Sequence, residues 1–511
     1  MKKSLEKRTL ESTLASGLGI ALSLVQSVLL VPLFLKYWGT EKFGAWISIY
    51  AFLLLLRTLE LGYQNYVGNE FNKAYHLDKN QAQYILGSSV RFSLVVACLE
   101  IMVYGLIAWG PFELSVIGVE AHQLTGIDYR YGLFLFVGVW SFWGNIGGLL
   151  VRVILAEGHF AKSAYFGVVY KLLEIAILLC GVYGGWSIFT VCVAYALATT
   201  FYYAYYFYFI YRLMHPLYPW WKTGNGLFGA RLYVRSLLIT MNGFIDQFAN
   251  SGLLLMVSKV IGLAFVPLLN TIRSLTNFVL QLTNLVSNPL SPELIRYNTL
   301  GESQKLQYVF ETHWFLAGLL VHLPFLVSTF FIGDFFNWWV GGRLTFDPEL
   351  FFWLSYSVAL INFSRMFTVY LSGINANLPL FFIGILRIFI LVFILLTQLA
   401  DFNLNRLGLS IVIAESVCSL LIPSILIFRT LFPKHNRVFL KHWTCTVLQI
   451  FLLGLGFYSA LHWPAYGTIW MIACIGGILL LMTLQWRNLD AEVRQRLWAL
   501  LFGSKILPAS S

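Results

Sequence analysis

The sequence predicts an all-α polytopic membrane protein, and composition and long apolar windows carry this prediction. Of its 511 residues, 59% are hydrophobic and only 11% are charged, whereas soluble proteins are about 45–50% apolar and about 25% charged. The mean hydropathy is +0.74. A soluble globule with so few charges would lack a polar surface, so most of the chain is expected to face lipid or other helices. The several soluble domains that this length would ordinarily suggest are therefore excluded.

The apolar windows define about fourteen transmembrane helices. A helix crosses roughly 30 Å of hydrocarbon with about 20 mainly apolar residues, and such windows fill most of the chain. Their approximate limits are 13–35, 43–63, 87–109, 131–154, 163–183, 187–211, 233–258, 264–288, 311–332, 350–373, 378–399, 405–429, 442–462 and 465–486. All connections between them are short, so a large extramembrane active site is not expected.

The basic residues predict the orientation of these spans. Of 34 Lys and Arg, 23 lie in or beside the N-terminus, the even-numbered connections and the C-terminal tail, while six lie in the odd-numbered connections. Cytoplasmic loops carry the Lys/Arg excess, so both termini are predicted to be cytoplasmic. The net charge of +11 then reflects topology and is balanced by anionic membrane lipids rather than by nucleic acid.

Motifs for catalysis or cofactor binding are absent from the sequence. It contains no GxGxxG, Walker A, HExxH or GxSxG pattern, which are the signatures of nucleotide sites, zinc proteases and serine hydrolases. The six cysteines show no CxxC or paired spacing, which excludes a disulfide scaffold. We therefore expect no enzyme, no catalytic residue, no metal and no cofactor.

Two pairs of matched segments predict an internal duplication of the spans into two lobes, with chance similarity between apolar segments as the alternative. At an offset of 223 residues, Lys36 aligns with Lys259, and at an offset of 216 the intramembrane Lys171 aligns with Arg387. Each repeat holds six spans, an even number, so the two lobes should be parallel and related by a pseudo-twofold axis along the membrane normal. Two additional C-terminal helices stand outside the repeat.

This duplication sets the predicted domain boundaries. They are an N-terminal lobe at 1–212, a cytoplasmic linker at 213–232, a C-terminal lobe at 233–430, peripheral spans 13 and 14 at 431–486, and a cytoplasmic tail at 487–511.

Ionisable residues inside the spans are the main functional signal. One central charge costs roughly 2.5–3.5 kcal/mol on insertion scales, so these side chains should line a water-filled cavity or pair with one another. Five cations are predicted to bind substrate in a cationic cavity: Arg57, Lys171, Arg273, Arg365 and Arg387. Five acids are predicted to couple transport to an ion gradient or to balance charge: Glu60, Glu100, Glu174, Asp246 and Glu415.

The spacing of these charges leaves two interpretations open. Arg57 and Glu60, like Lys171 and Glu174, are three residues apart and can pair on one helical face, so a structural ion pair and a cavity role are equally supported for them. The other three cations have no acid nearby on their own helix, which favours the cavity: Arg273, Arg365 and Arg387. A cationic cavity attracts anions, and guanidinium groups suit phosphate, so an anionic, phosphate-like substrate is predicted.

Two further patterns receive structural interpretations. The aromatic segment Phe201–Arg212 can stack on sugars, but a lipid-facing and interfacial surface is the favoured interpretation. Gly144 and Gly148, four residues apart, predict a close helix–helix contact.

The chain resembles the polysaccharide flippases, the O-antigen repeat-unit translocases of the multidrug/oligosaccharidyl-lipid/polysaccharide exporter superfamily. The resemblance rests on Val31–Val67 (VPLFLKYWGTEKFGAWISIYAFLLLLRTLELGYQNYV), on Phe244–Gly262 and on Asn288–Leu294. It departs at Glu60, where relatives often carry Asp, and at Gln247, where Arg is common.

The resemblance implies that the chain flips an undecaprenyl-diphosphate-linked oligosaccharide from the inner to the outer leaflet by alternating access. It also implies a bacterial plasma (inner) membrane location, a proton or sodium gradient as driving force, and a polymerase and a chain-length regulator as partners in polysaccharide assembly. The alternatives are a cation-coupled multidrug or small-molecule antiporter, which would have an acidic cavity with few arginines, and an integral membrane polysaccharide polymerase, which would carry a large external loop.

Overall fold

The computed structural model describes residues 5–109, 126–156, 160–287, 294, 297–298, 300–374, 376–397, 403–432, 437–463 and 466–502, and every regular element in these ranges is helical. The basic residues at 2–3 and segment 288–293 of the family resemblance lie outside them. The helices are α1 (Leu5–Tyr37), α2 (Gly39–Leu77), α3 (Lys79–Trp109), α4 (Gly126–Ala156), α5 (Phe160–Tyr183), α6 (Ile188–Leu213), α7 (Gly226–Gln247), α8 (Leu253–Val260), α9 (Val266–Ser287), α10 (Ser303–Ala317), α11 (Leu323–Ser328), α12 (Ile332–Val340), α13 (Pro348–Gly373), α14 (Asn377–Thr397), α15 (Leu404–Glu415), α16 (Ile422–Leu426), α17 (Arg437–His462), α18 (Gly467–Asn488) and α19 (Ala491–Phe502).

Twelve helical segments in the described ranges are long and apolar enough to cross a membrane, and they coincide with predicted spans two to six and eight to fourteen. Span one lies on α1, and span seven lies on α7 and α8, which are continuous through the π turn Phe248–Gly252. Span seven is less apolar because α7 carries Arg231, Arg235 and Asp246. The predicted all-helical, multi-pass membrane fold is confirmed, with fourteen as an approximate number of spans.

The helices form two compact units, Met1–Asn270 and Thr271–Ser511. This division lies after span seven, whereas the sequence predicted a linker at 213–232. The reason is that α7 packs along α2 within the first unit. A Cβ on Gly62 would overlap the backbone of Thr240, so glycine permits the two helix backbones to meet. The boundaries of the predicted lobes stay a prediction.

The predicted linker is folded onto the start of α3. Gln83 Nε2 donates to the carbonyl of Leu217 at 2.7 Å, and Arg91 Nη2 donates to the carbonyl of Trp221 at 2.7 Å. Ser88 Oγ accepts from the backbone N–H of Asn225 at 2.9 Å. These contacts satisfy backbone groups that would otherwise need water, so this segment is an ordered part of the first unit.

Each unit has its own apolar core. In the first unit, Tyr63 and Phe71 of α2 pack with Val153 of α4 and Ile210 of α6. In the second unit the core joins α10, α13 and α17 through a separate cluster, which contains Phe310, Trp314, Phe363 and Phe439.

The last two apolar helices carry a buried polar chain. His322 Nδ1 lies 3.0 Å from Gln449 Oε1, and Gln449 Nε2 donates to Gln485 Oε1 at 2.9 Å. Gln485 Nε2 donates in turn to Thr446 Oγ1 at 3.0 Å. Interhelical hydrogen bonds between side-chain amides stabilise helix packing in lipid, where the hydrophobic effect does not drive helices together. They attach α17 and α18 to the π turn after α10.

Candidate functional site

A cavity of about 210 Å³ lies within the first unit, between α2, α4, α5 and α6. Its wall combines one cation, one acid, an amide, hydroxyls and aromatic rings, with glycines where the helices approach each other. The lining residues are Arg57, Glu60, Gln64, Trp140, Gly144, Gly148, Val151, Ser163, Gly167, Tyr202, Tyr203 and Tyr206. Arg57 and Glu60, both predicted site residues, are therefore brought to one cavity.

Arg57 is held at this wall by a ring and a carboxylate. Its guanidinium carbon lies 4.2 Å from the centroid of the Trp140 ring, a cation–π contact. Its Nε lies 3.9 Å from Glu60 Oε1, longer than the roughly 2.7–2.9 Å of a charge-assisted hydrogen bond. The side chain of Arg57 is 29% exposed, whereas that of Glu60 is 2% exposed. The ion pair is thus long, its arginine side chain is partly exposed and its carboxylate is buried.

The glycines of α4 make this approach possible. A Cβ on Gly148 would overlap the side-chain amide of Gln64, and a Cβ on Gly144 would lie 3.0 Å from Glu60 Oε1. Gln64 Nε2 also donates to the Gly144 carbonyl at 3.0 Å. The predicted close packing at the two glycines is confirmed, and it brings the polar side chains of α2 against the backbone of α4.

Glu100 lies on α3 in a second polar cluster with α4. Asn145 Nδ2 donates to Glu100 Oε2 at 2.8 Å and to the Ser141 carbonyl at 2.8 Å, and Ser93 Oγ lies 3.3 Å from Asn145 Oδ1. Glu100 is 7% exposed. Because Asn145 immediately follows cavity residue Gly144, this cluster adjoins the cavity wall.

Lys171 and Glu174 form a separate ion pair on α5. Lys171 Nζ lies 2.9 Å from Glu174 Oε2, and the hydroxyl of Tyr50 on α2 donates to Glu174 Oε1 at 3.1 Å. Both carboxylate oxygens therefore have partners. Of the two interpretations that the spacing left open, the geometry of Lys171 fits the structural ion pair better than that of Arg57 does.

In the second unit, Arg387 pairs with an acid on the neighbouring helix. Arg387 Nε lies 3.0 Å from Glu415 Oε1, and Ser419 Oγ donates to Glu415 Oε2 at 2.5 Å. Ser419 belongs to a π turn, Ser416–Leu421, that follows α15; such turns are frequent at functional sites. Arg387 has no acid nearby on its own helix, and its partner Glu415 is distant in sequence and is brought close by helix packing.

The remaining predicted site residues occupy different surroundings. Arg273 on α9 and Arg365 on α13 are half-buried, and Asp246 near the end of α7 is exposed. Asp246 thus differs from the other four acids, all of which are buried. That cations from both halves line one shared cavity stays a prediction.

The comparisons with known proteins concern the fold. A multidrug resistance MATE family transporter of the MOP superfamily in an inward-facing conformation has a TM-score of 0.64 and is 13% identical, covering 81% of this chain and 96% of its own. The lipid II flippase MurJ in an inward closed conformation has a TM-score of 0.64 and is 15% identical, covering 94% and 99%. The MATE transporter VcmN of Vibrio cholerae has a TM-score of 0.58 and is 14% identical, covering 84% and 98%.

The chain has the fold of MOP superfamily transporters. No protein-family model matches the sequence, and no curated protein does. The three solved structures are two transporters and a flippase. Likeness at this level of identity concerns the fold alone.

Within this MOP-type fold, the sequence interpretation missed the aromatic part of the site. Tyr202, Tyr203 and Tyr206 line the cavity, although the segment was assigned to a lipid-facing surface. The signal was available in their spacing, since residues three and four apart share one face of a helix. Trp140 and Gln64 were also missed, because neither is charged.

The described residues contain no cluster of three or more His, Cys, Asp or Glu that could hold a metal ion. His313 Nε2 lies 2.9 Å from the Asn362 carbonyl, and His322 belongs to the polar chain of α17 and α18. Both histidines thus have structural partners.

Proposed function

We propose that the protein translocates an undecaprenyl-diphosphate-linked oligosaccharide from the inner to the outer leaflet of the bacterial plasma membrane by alternating access. The observation that carries this proposal is the state of Arg57. Arg57 is a cation on the wall of a polar cavity among membrane-spanning helices. Its Nε lies 3.9 Å from the carboxylate of Glu60. A permanent charge in that position is expensive and is retained where an anion is bound.

The chemistry of guanidinium supports a diphosphate as that anion. Guanidinium presents a planar fork of donors that binds phosphate oxygens in pairs. The Trp140 ring orients this fork, and the loose pair with Glu60 leaves it accessible. Lys171 and Arg387 form ion pairs with Glu174 and Glu415 at 2.9 and 3.0 Å. We therefore assign them to substrate contacts later in the transport cycle, in which the diphosphate replaces the carboxylate as their partner. Arg273 and Arg365 complete the proposed cationic set.

The buried acids supply the proposed coupling. Four of the predicted acids are each at most 7% exposed: Glu60, Glu100, Glu174 and Glu415. Because a buried charge is costly, binding or release of a proton or sodium ion at such a carboxylate would strongly change the free energy of the conformation that buries it. Asp246, which is exposed, would act at the surface of α7. A polymerase and a chain-length regulator remain the proposed partners.

A cation-coupled multidrug antiporter is the second candidate. The observation that favours it is the cavity wall, where a buried acid, Glu60, stands beside Trp140 and tyrosines; organic cations bind to such groups. Two of the three solved structures described above are MATE transporters. Arg57 in the same wall opposes this candidate because it would repel a cation.

Deletion of the gene in its own host separates the two candidates. If the proposal holds, the deletion strain accumulates undecaprenyl-diphosphate-linked oligosaccharide and loses the corresponding surface polysaccharide. The wild-type gene restores both, and Arg57→Ala does not. Normal polysaccharide together with raised sensitivity to cationic dyes would establish the antiporter and refute flipping.

Lys73→Ala is the matched control for Arg57→Ala. Lys73 also pairs with an acid three residues away on α2, Glu70 at 2.9 Å, but its side chain is 73% exposed. Lys73→Ala should restore polysaccharide fully. Membrane levels of all variants are measured by immunoblot, so that loss of protein is distinguished from loss of transport.

A further inference from the structure

The aromatic segment of α6 has two faces with different surroundings. Phe201, Tyr205 and Tyr208 are 73%, 66% and 56% exposed, as expected for side chains that meet lipid. Tyr202 and Tyr203 are half-buried and line the cavity of the first unit. A lipid-facing role explains the exposed face of α6 but does not explain the tyrosines on its cavity face.

The cavity face is an ordered set of rings. Tyr202 stacks on Tyr206 with ring centroids 5.7 Å apart, and Tyr203 stacks on Trp143 of α4 at 6.1 Å. Trp140 meets Tyr203 edge to face at 6.4 Å. These contacts fix the orientation of Tyr202 and Tyr203, so the cavity wall carries rings that lose little conformational entropy when a ligand stacks on them.

Two buried polar atoms belong to residues of the cavity wall and are only weakly satisfied. Glu60 Oε2 and Trp140 Nε1 are buried, and the two side chains interact with each other, but neither atom forms a hydrogen bond of good geometry within the described residues. Both residues line the cavity and are at least nine-tenths buried, at 2% and 8% exposure. Buried polar atoms of this kind normally have a well-formed partner, and a ligand hydroxyl that reached them would supply one.

We propose that this cavity is a saccharide subsite that takes one pyranose ring of the substrate, an inference that rests on the proposed transport of an oligosaccharide. The polarised C–H face of a sugar suits the negative face of an aromatic ring. Sugar hydroxyls donate to the Glu60 carboxylate and accept from the indole N–H of Trp140, while the Arg57 guanidinium at the same wall binds the adjoining diphosphate. The volume, about 210 Å³, is below the roughly 300 Å³ at which pockets for drug-sized ligands begin, so one ring is taken rather than a chain.

The test uses the purified full-length protein in detergent and saturation-transfer NMR with four free sugars: glucose, galactose, rhamnose and N-acetylglucosamine. At least one sugar should receive saturation from the wild-type protein. In Tyr202→Leu and Tyr203→Leu, affinity for that sugar should fall by about tenfold or more. Tyr202→Phe and Tyr203→Phe keep the ring and should bind nearly as the wild type does. Glu60→Gln should also weaken binding, because it replaces a carboxylate acceptor.

Tyr205→Leu is the control, since it removes a tyrosine from the same helix but from the exposed face. It should leave sugar binding unchanged. Absence of saturation transfer to all four sugars, or equal loss in Tyr205→Leu and Tyr203→Leu, overturns the subsite. Size-exclusion profiles of the Phe and Leu variants show that the comparison is made on folded protein.

The result is separable from that of the gene deletion. If the deletion strain keeps its polysaccharide while the purified protein binds a sugar through Tyr203, the flippase proposal fails and the sugar site stands. If the strain loses its polysaccharide but Tyr202→Leu and Tyr203→Leu restore it fully and no sugar binds, the flippase stands and the subsite fails.

Discussion

The guanidinium of Arg57 lies over the ring of Trp140, with 4.2 Å between the guanidinium carbon and the ring centroid. The two residues belong to α2 and α4, and Gly144 and Gly148 of α4 leave room for the side chains of Glu60 and Gln64 of α2. The ring replaces part of the hydration that the cation loses among the helices. Arg57 is therefore positioned without being tightly neutralised, which is what a binding cation in a membrane protein requires.

Replacement of Arg57 by lysine should separate charge from geometry. Arg57→Lys keeps a positive charge but loses the planar fork and much of the contact with Trp140. Polysaccharide export in the deletion strain should fall to an intermediate level, above that of Arg57→Ala. Quantification of surface polysaccharide at matched protein level checks this, and equal export by the wild type and by Arg57→Ala would contradict it.

A methyl group at Gly148 should destabilise the first unit. Gly148→Ala forces a Cβ onto the amide of Gln64, so the Gln64 side chain must shift and give up its hydrogen bond to the Gly144 carbonyl, which costs about 1 kcal/mol. Gly138→Ala is the control on the same helix, because a Cβ there meets no atom within 4 Å. The melting temperature in detergent, followed by tryptophan fluorescence, should fall by a few degrees for Gly148→Ala and should not fall for Gly138→Ala, because alanine favours a helix more than glycine does. Gln64→Ala in the Gly148→Ala background should recover part of the loss.

The pair of Arg387 and Glu415 should behave as a unit in a double-mutant cycle. Arg387→Ala removes the cation from the buried Glu415 carboxylate and leaves it only the Ser419 hydroxyl as a partner, and removal of one partner from a buried ion pair costs about 3–5 kcal/mol in soluble proteins. Arg387→Ala combined with Glu415→Gln should be much closer to the wild type in melting temperature. A double variant that is stable but exports no polysaccharide would assign Arg387 to transport, whereas full export by it would limit the pair to a structural role.

Two cysteine substitutions test the predicted orientation of the spans. Lys222, in the segment between α6 and α7, and Arg343, after α12, are both exposed. In a background in which the six native cysteines are replaced, Lys222→Cys should react with a membrane-impermeant maleimide only after the cells are opened. Arg343→Cys should react in spheroplasts. The reverse pattern would place the termini outside the cytoplasm.

The sequence alone predicted the spans and the helical class because each lipid-crossing helix must satisfy its own backbone and present an apolar surface. Both requirements are local, so a membrane-spanning helix can be recognised from one stretch of sequence, such as Pro348–Gly373. The same local logic identified the pairs Arg57–Glu60 and Lys171–Glu174, whose members are one turn apart. It also marked Gly144 and Gly148 as a packing contact.

Tertiary structure alone decided the partners that come from different helices. Glu415 beside Arg387, Tyr50 beside Glu174, and Trp140 beneath Arg57 are each separated by at least 28 residues along the chain. Their meeting depends on which helices pack together and on the rotation of each helix about its axis. Hydropathy does not encode that rotation when every face is apolar, and for this reason the tyrosines of α6 could be divided between lipid and cavity only once the helices were packed.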